Sequence, residues 1–231
     1  MVSYPSTALA MGEAIQHGKL DPVMLTRQCL AASKDSDSVF ISLTPERAMF
    51  ASLGPLDGVP IAWKDLFDIA GAVTTAGSRV LAEKPAMYDA TAVRHATAAG
   101  MVCLGKTNLT ELAYSGLGLN PHYGTPHHTP GKGEPRVPGG SSSGSAVAVA
   151  KGIVPAAIGT DTAGSLRVPA AFNGLASYRP SQARHSRQGV TPLAHSLDTI
   201  GVIATSLEDC LAIDDVMRGE EVAKREGTDP E

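Results

Sequence analysis

The chain has 231 residues, with 43% hydrophobic residues, 18% charged residues and a formal net charge of −4. That is the composition of an ordinary soluble globular protein, long enough to bury one large core or two small ones. Mild acidity with no dense basic cluster argues against a nucleic-acid backbone as a direct partner, 4% aromatics leave few stacking platforms for single strands, and no apolar run approaches the ~20 residues that span a bilayer. Cys29, Cys103 and Cys210 lie far apart in apolar contexts and read as buried thiols of a reducing compartment. With no basic region, apolar core and cleavage site at the N-terminus, a cytoplasmic protein is the expectation.

In chain order, residues 6–17 and 21–33 are expected to form two short packing helices. The second has Asp21 as N-cap, Pro22 at its first position and Leu25, Cys29 and Ala32 on one face. Phe40 to Leu43 reads as a strand, and the turn-rich GPLDGVP at 54–60 leads into an apolar strand, Val59 to Trp63, that ends at Lys64 and Asp65. A charged pair closing a buried strand is a site-like position. Asp89 is expected to cap a helix running to about Ala99, stopped by Gly100, and Met101 to Leu104 to form a buried strand. A loop with Asn108 and Glu111 follows, then an irregular segment at 116–138, a helix at about 143–151 and a strand at about 153–158. Alternation of this kind predicts an α/β fold, a sheet with helices on both faces. The tail from 219 to 231 is charged and is expected to be frayed.

Three motifs invite readings that their context opposes. Gly100 to Thr107, GMVCLGKT, matches a phosphate-binding loop, yet a helix precedes it and MVCL is itself a strand. Gly140 to Gly144, GSSSG, matches a nucleophile elbow around Ser142, but no strand runs into the turn and no Asp and His follow in order. His122, His127 and His128 have no further ligand at metal-binding spacing, so no metal site and no cofactor are expected.

The densest chemistry lies in Gly139 to Pro169, two Gly/Ser clusters joined by the apolar connector AVAVAKGIVPAAIG. Glycine allows close backbone approach and serine is a potential nucleophile, so two opposed loops of an active site are expected. With no credible catalytic histidine the base must be something else. Lys64 is a candidate, since its stem follows the apolar VPIAW and burial favours the neutral amine. A surface position, or pairing with Asp65, remains open on these grounds.

The chain resembles the amidase signature family of amidohydrolases. The resemblance is carried by GVPIAWKDLFDIAG at 58–71, GKTNLTELA at 105–113, PGGSSSGSAVAVAKG at 138–152, GTDTAGSLRVPA at 159–170 and GVTPLAHSLDTIG at 189–201. These motifs are long, occur in family order and cover residues 54–218 of a single domain at 1–218. The resemblance implies a Ser–cis-Ser–Lys triad of Ser165 as nucleophile, Ser141 as bridge and Lys64 as base. It further implies an oxyanion hole of the backbone N–H groups of Thr162, Ala163, Gly164 and Ser165, with Ser142, Asp161 and Arg167 in support. The implied function is hydrolysis of a small-molecule amide through an acyl-enzyme. The alternatives are a subunit of the glutamine amidotransferase type, or a catalytically weak remnant acting through association.

Two features depart from the family. Ala163 stands where a second glycine is usual, and family members have a C-terminal portion beyond the point, near Met217, where this resemblance stops. A sheet incomplete on that side would expose edge strands and an apolar surface, so a homodimer or a partner subunit completing the fold is expected.

Overall fold

The computed structural model describes residues 4–47, 54–81, 83–127, 134 and 136–223. Its centre is a six-stranded mixed sheet in the order β1-β3-β2-β4-β6-β5. The strands are β1 (Phe40–Leu43), β2 (Pro60–Lys64), β3 (Val102–Thr107), β4 (Ala156–Asp161), β5 (Ala176–Tyr178) and β6 (Thr199–Ala204). β2 runs parallel to β3 and to β4, while β1, β6 and β5 join antiparallel. Every residue of β2, β3, β4 and β6 is buried, so none of these strands alternates between apolar and polar faces.

The helices are α1 (Ala8–Gln16), α2 (Pro22–Lys34), α3 (Thr91–Ala98), α4 (Ser143–Ala150), α5 (Arg167–Phe172) and α6 (Leu207–Met217). α4 lies on the central strands β2, β3, β4 and β6, α2 on β1, β2 and β3, and α6 on β5 and β6 and against α3. Seven of the eight residues of α4 are buried, and they are Ser, Gly, Ala and Val, so the helix sits low on the sheet. Asp21 caps α2 as expected, accepting the N–H of Val23 at 2.8 Å. The start of α1 is held from the far end of the chain, where buried Asp209 of α6 accepts the N–H groups of Ala8 (2.8 Å) and Leu9 (3.0 Å). A carboxylate there satisfies free amides and complements the helix dipole.

Several expectations need correction. Asp89 is not the cap of α3; Ala90 holds that position without a side-chain bond, and the Asp89 carboxylate instead pairs with Arg47 at 2.5 Å and takes the N–H of Ala70. Ala32 is exposed, because the buried face of α2 turns to Leu25, Thr26, Cys29 and Ser33. β3 extends three residues past Leu104 to Thr107, carrying Gly105 and Lys106 of the phosphate-loop match inside a buried strand. The expectation of a frayed tail falls mostly on residues 224–231, which lie outside the described residues, as does His128. The three cysteines are free and buried, and burial pushes the thiols of Cys29 and Cys210 up to about 12 and that of Cys103 up to about 11. No helix is long and apolar enough to cross a membrane among the described residues.

Candidate active site

The parallel strands β2 and β4 end side by side, and the site is built at those ends. Lys64 closes β2 and is 0% exposed. Its Nζ donates to Ser141 Oγ at 2.7 Å and to Thr160 Oγ1 at 2.9 Å. Asp65, the next residue, does not pair with it. Asp65 turns to Lys106 of β3 at 2.6 Å, and its other oxygen accepts the N–H and hydroxyl of Thr75. Lys64 is therefore left with two hydroxyls and no carboxylate within ion-pair distance among the described residues. Burial pushes its ammonium down to about 7, against the opposing fields of Asp161 and Asp198.

Ser141 stands on the turn that enters α4, and the Gly140–Ser141 peptide bond is cis. The turn tolerates no side chain at Gly140, where a Cβ would fall 2.6 Å from the Gly118 nitrogen and 2.8 Å from the Ser115 oxygen. Gly159 of β4 has the same role from the opposite side, since its Cβ would lie 2.7 Å from Ser142 Oγ. These two glycines let the serine turn lie directly on the end of the sheet. Ser142 Oγ donates to the Thr160 carbonyl at 3.4 Å, and Ser142 N–H donates to the Ser165 carbonyl at 3.2 Å. That backbone bond ties the two Gly/Ser clusters together.

Ser165 lies in the turn between β4 and α5, half-buried, whereas Lys64, Ser141 and Ser142 are buried. The turn is organised by Asp161, whose carboxylate accepts the N–H of Gly164 (2.7 Å) and of Leu166 (3.2 Å) and bonds the Arg167 guanidinium at 3.0 and 3.1 Å. Burial raises the Asp161 carboxyl, but Arg167 and the two amides outweigh it and hold its pKa below the usual value. One expected oxyanion donor needs revision: the Gly164 N–H points into Asp161, where it satisfies the buried carboxylate. The N–H groups of Thr162, Ala163 and Ser165 meet no protein acceptor among the described residues.

Lys64, Ser141, Ser142, Asp161, Arg167 and the 162–165 turn are thus assembled at one end of the sheet. Two further residues belong to the cluster and escape the sequence reading. Thr160 supplies the second hydroxyl on Lys64, and Asp198, just before β6, accepts the Thr162 hydroxyl at 2.5 Å. A threonine inside GTDTAG and an aspartate at the mouth of the apolar run TIGVIA are the signals that mark them. Asn108 and Glu111 hold loops: Asn108 Nδ2 donates to the carbonyls of Ser38 and Gly124, and Glu111 accepts from Ser78 and meets His122. No group of three His, Cys, Asp or Glu side chains converges in metal-binding geometry among the described residues.

The family model described as Amidase matches residues 42–231. A glutamyl-tRNA(Gln) amidotransferase subunit from Chloroflexus aurantiacus is 42% identical over 238 residues, covering 96% of this chain and 48% of that protein. The crystal structure of an amidase has a TM-score of 0.84 at 33% identity, covering 97% of this chain and 54% of that one. The structure of the corresponding glutamyl-tRNA(Gln) amidotransferase subunit from Thermotoga maritima has a TM-score of 0.76 at 32% identity, covering 86% and 44%. The chain spans about half the length of the curated relatives it matches.

Proposed function

The chain belongs to the amidase family, and from that premise we propose that it cleaves the C–N bond of a small carboxamide by acyl transfer to Ser165, with Lys64 as base and Ser141 as proton relay. One observation carries the reading: a buried lysine, pushed down to about 7 and bonded to hydroxyls only, donates to a serine held on the turn tied to Ser165. A lysine in that state holds a useful fraction of neutral amine near neutral pH.

In the proposed reaction neutral Lys64 takes the Ser141 proton as Ser141 takes the Ser165 proton, and Ser165 Oγ adds to the amide carbonyl carbon. The carbonyl oxygen becomes an oxyanion, received by N–H groups of the 162–165 turn, Gly164 excepted. Loss of one such donor typically costs about 3 kcal/mol of transition-state stabilisation. The C–N bond then breaks, the proton returns through Ser141 to the departing nitrogen, and the amine leaves. Water, deprotonated through the same relay, hydrolyses the ester and restores Ser165. Asp161 and Arg167 support the turn, and Ser142 supports Ser141.

A second reading is favoured by the relatives named as amidotransferase subunits: the same chemistry releases ammonia from glutamine for a partner subunit. Glutaminase activity that appears only with a partner would select it. Both readings require Ser165. An alkyl fluorophosphonate is expected to label Ser165, read by mass spectrometry, and Ser165→Ala is expected to lose labelling and turnover together. Full activity in Ser165→Ala overturns the mechanism.

A further inference from the structure

Asp198 is nearly buried, at 7% exposure, and sits where β6 begins beside the end of β4. Its carboxylate accepts four bonds. Thr162 Oγ1 donates to Oδ1 at 2.5 Å, Ala194 N–H donates to both oxygens at 3.0 Å, and Leu193 N–H donates to Oδ2 at 2.9 Å. The other buried carboxylates near the site are neutralised. Asp161 has Arg167 at 3.0 Å and Arg179 at 3.7 Å, and Asp65 has Lys106 at 2.6 Å. No basic side chain lies within ion-pair distance of Asp198 among the described residues. Arg187 and His195 share a cavity of about 110 Å³ with Asp198 and Thr160, but the Arg187 guanidinium donates to the His195 carbonyl.

We propose that Asp198 is a positioning residue for the reaction, holding Thr162 in the nucleophile turn through its hydroxyl and placing a negative charge with no ion-pair partner among the described residues in the cavity that it shares with Thr160, the hydroxyl partner of Lys64. This inference rests on the proposed Lys64–Ser141–Ser165 chemistry. Thr162 stands three residues before Ser165, in the turn whose amides, Gly164 excepted, are proposed to receive the oxyanion. A hydroxyl bond to a rigid acceptor sets that turn's place relative to β6, while a negative charge in a low-dielectric site stabilises the protonated form of a nearby lysine. Asp161 and Asp198 are the two acids whose fields reach Lys64, and Asp198 alone of the two lacks a guanidinium. The carboxylate thus acts on the geometry of one partner and the protonation of the other.

The two actions separate by substitution. Asp198→Asn keeps an acceptor and the size of the side chain but removes the charge, and Thr162→Val removes the hydroxyl but keeps the charge. The rate of Ser165 labelling by an alkyl fluorophosphonate is measured against pH on the full chain, by mass spectrometry. For the unsubstituted chain the rate rises with pH to a plateau. In Asp198→Asn the midpoint of that rise moves roughly one pH unit lower, because the neutral amine is no longer opposed by a negative charge, and Asp198→Glu restores the midpoint. In Thr162→Val the midpoint stays and the plateau falls about tenfold, the effect of one misplaced donor on a reaction of this kind. If the unsubstituted chain labels while Asp198→Asn keeps the original midpoint, or Asp198→Glu moves it as far as Asn does, the role of Asp198 is overturned and the Ser165 chemistry stands. If the unsubstituted chain does not label at Ser165, both fall.

Discussion

Lys64, the proposed base, illustrates how a single buried residue costs stability. Its ammonium is buried among Ser141 and Thr160 with no carboxylate partner among the described residues, and burial pushes it from the ordinary 10.5 to about 7. Between those two pH values the unfolded chain holds a proton that the folded chain has released. Stability at this site therefore rises with pH across that window, and below it the cost of burying the charge is present in full. Lys64→Met, which fills the space without a charge, is expected to stabilise the fold near pH 6 by on the order of a few kcal/mol, with the gain shrinking toward about pH 10. Thermal melts across that range check it, and a gain independent of pH would contradict the assignment. With Lys64 as the proposed base, the same substitution is expected to lower turnover by about 10²- to 10⁴-fold, the usual contribution of such a group. At this scale the candidate site is legible in residue types: the apolar run before Lys64 and the Gly/Ser clusters announce it. Thr160 and Asp198 are not legible, because a threonine in a buried strand and an acid at a strand mouth look like ordinary structure until their partners are known.

Among the elements, β2 and β3 are joined by more than their ladder. The Asp65–Lys106 pair is buried on both sides, and Lys106 also donates to the Val73 carbonyl at 2.9 Å and to Thr74 Oγ1 at 2.7 Å. It pins the 73–76 segment onto the ends of both strands. Lys106→Met is expected to destabilise the fold by about 3–5 kcal/mol, since it leaves the Asp65 charge buried and unpaired. Urea unfolding measures this, and a loss under about 1 kcal/mol would mean that Asp65 regains solvent or another partner. The strands β1 to β3 are visible in the sequence as apolar runs, whereas the strand expected at about 153–158 lies three residues early, since β4 runs from Ala156 to Asp161 and carries Gly159, Thr160 and Asp161 inside the sheet. β6 and α6 are not visible, for different reasons. The run TIGVIA is too short for periodicity to separate strand from buried helix. α6 carries Asp209, Asp214 and Asp215 on its buried side, which spoils an apolar stripe. Asp209 and Asp214 are satisfied by partners remote in sequence, the α1 amides for the first and Arg184 and His185 for the second, while Asp215 pairs with Arg218 one turn on.

Over the whole molecule, apolar side chains gather in the open around the serine turn. Gly118 packs on Gly139 and Pro138, and Phe172 meets Gly139, so the loops bearing Leu117 and Val137 and the end of α5 bearing Phe172 adjoin one another, and all three side chains are exposed. β5, three residues long, stands at one end of the sheet, with no further strand beside it among the described residues. Exposed apolar surface and a terminal strand both favour association, so light scattering is expected to give a mass above the 23.8 kDa of one chain. A monodisperse monomer would contradict this. The sequence by itself determined the family, the order of its motifs and the residue types of the site, because small residues and buried polar groups are dictated by local crowding. Only the tertiary structure decided which partner each lysine meets. Lys64 and Asp65 are neighbours in the chain, yet they end in different environments. Lys64 stands opposite Thr107 and Trp63 opposite Lys106 in the register of β2 with β3. That register sends Asp65 to Lys106 and leaves Lys64 to Ser141 and Thr160, and pairing between strands is a property that neither strand's residues specify alone.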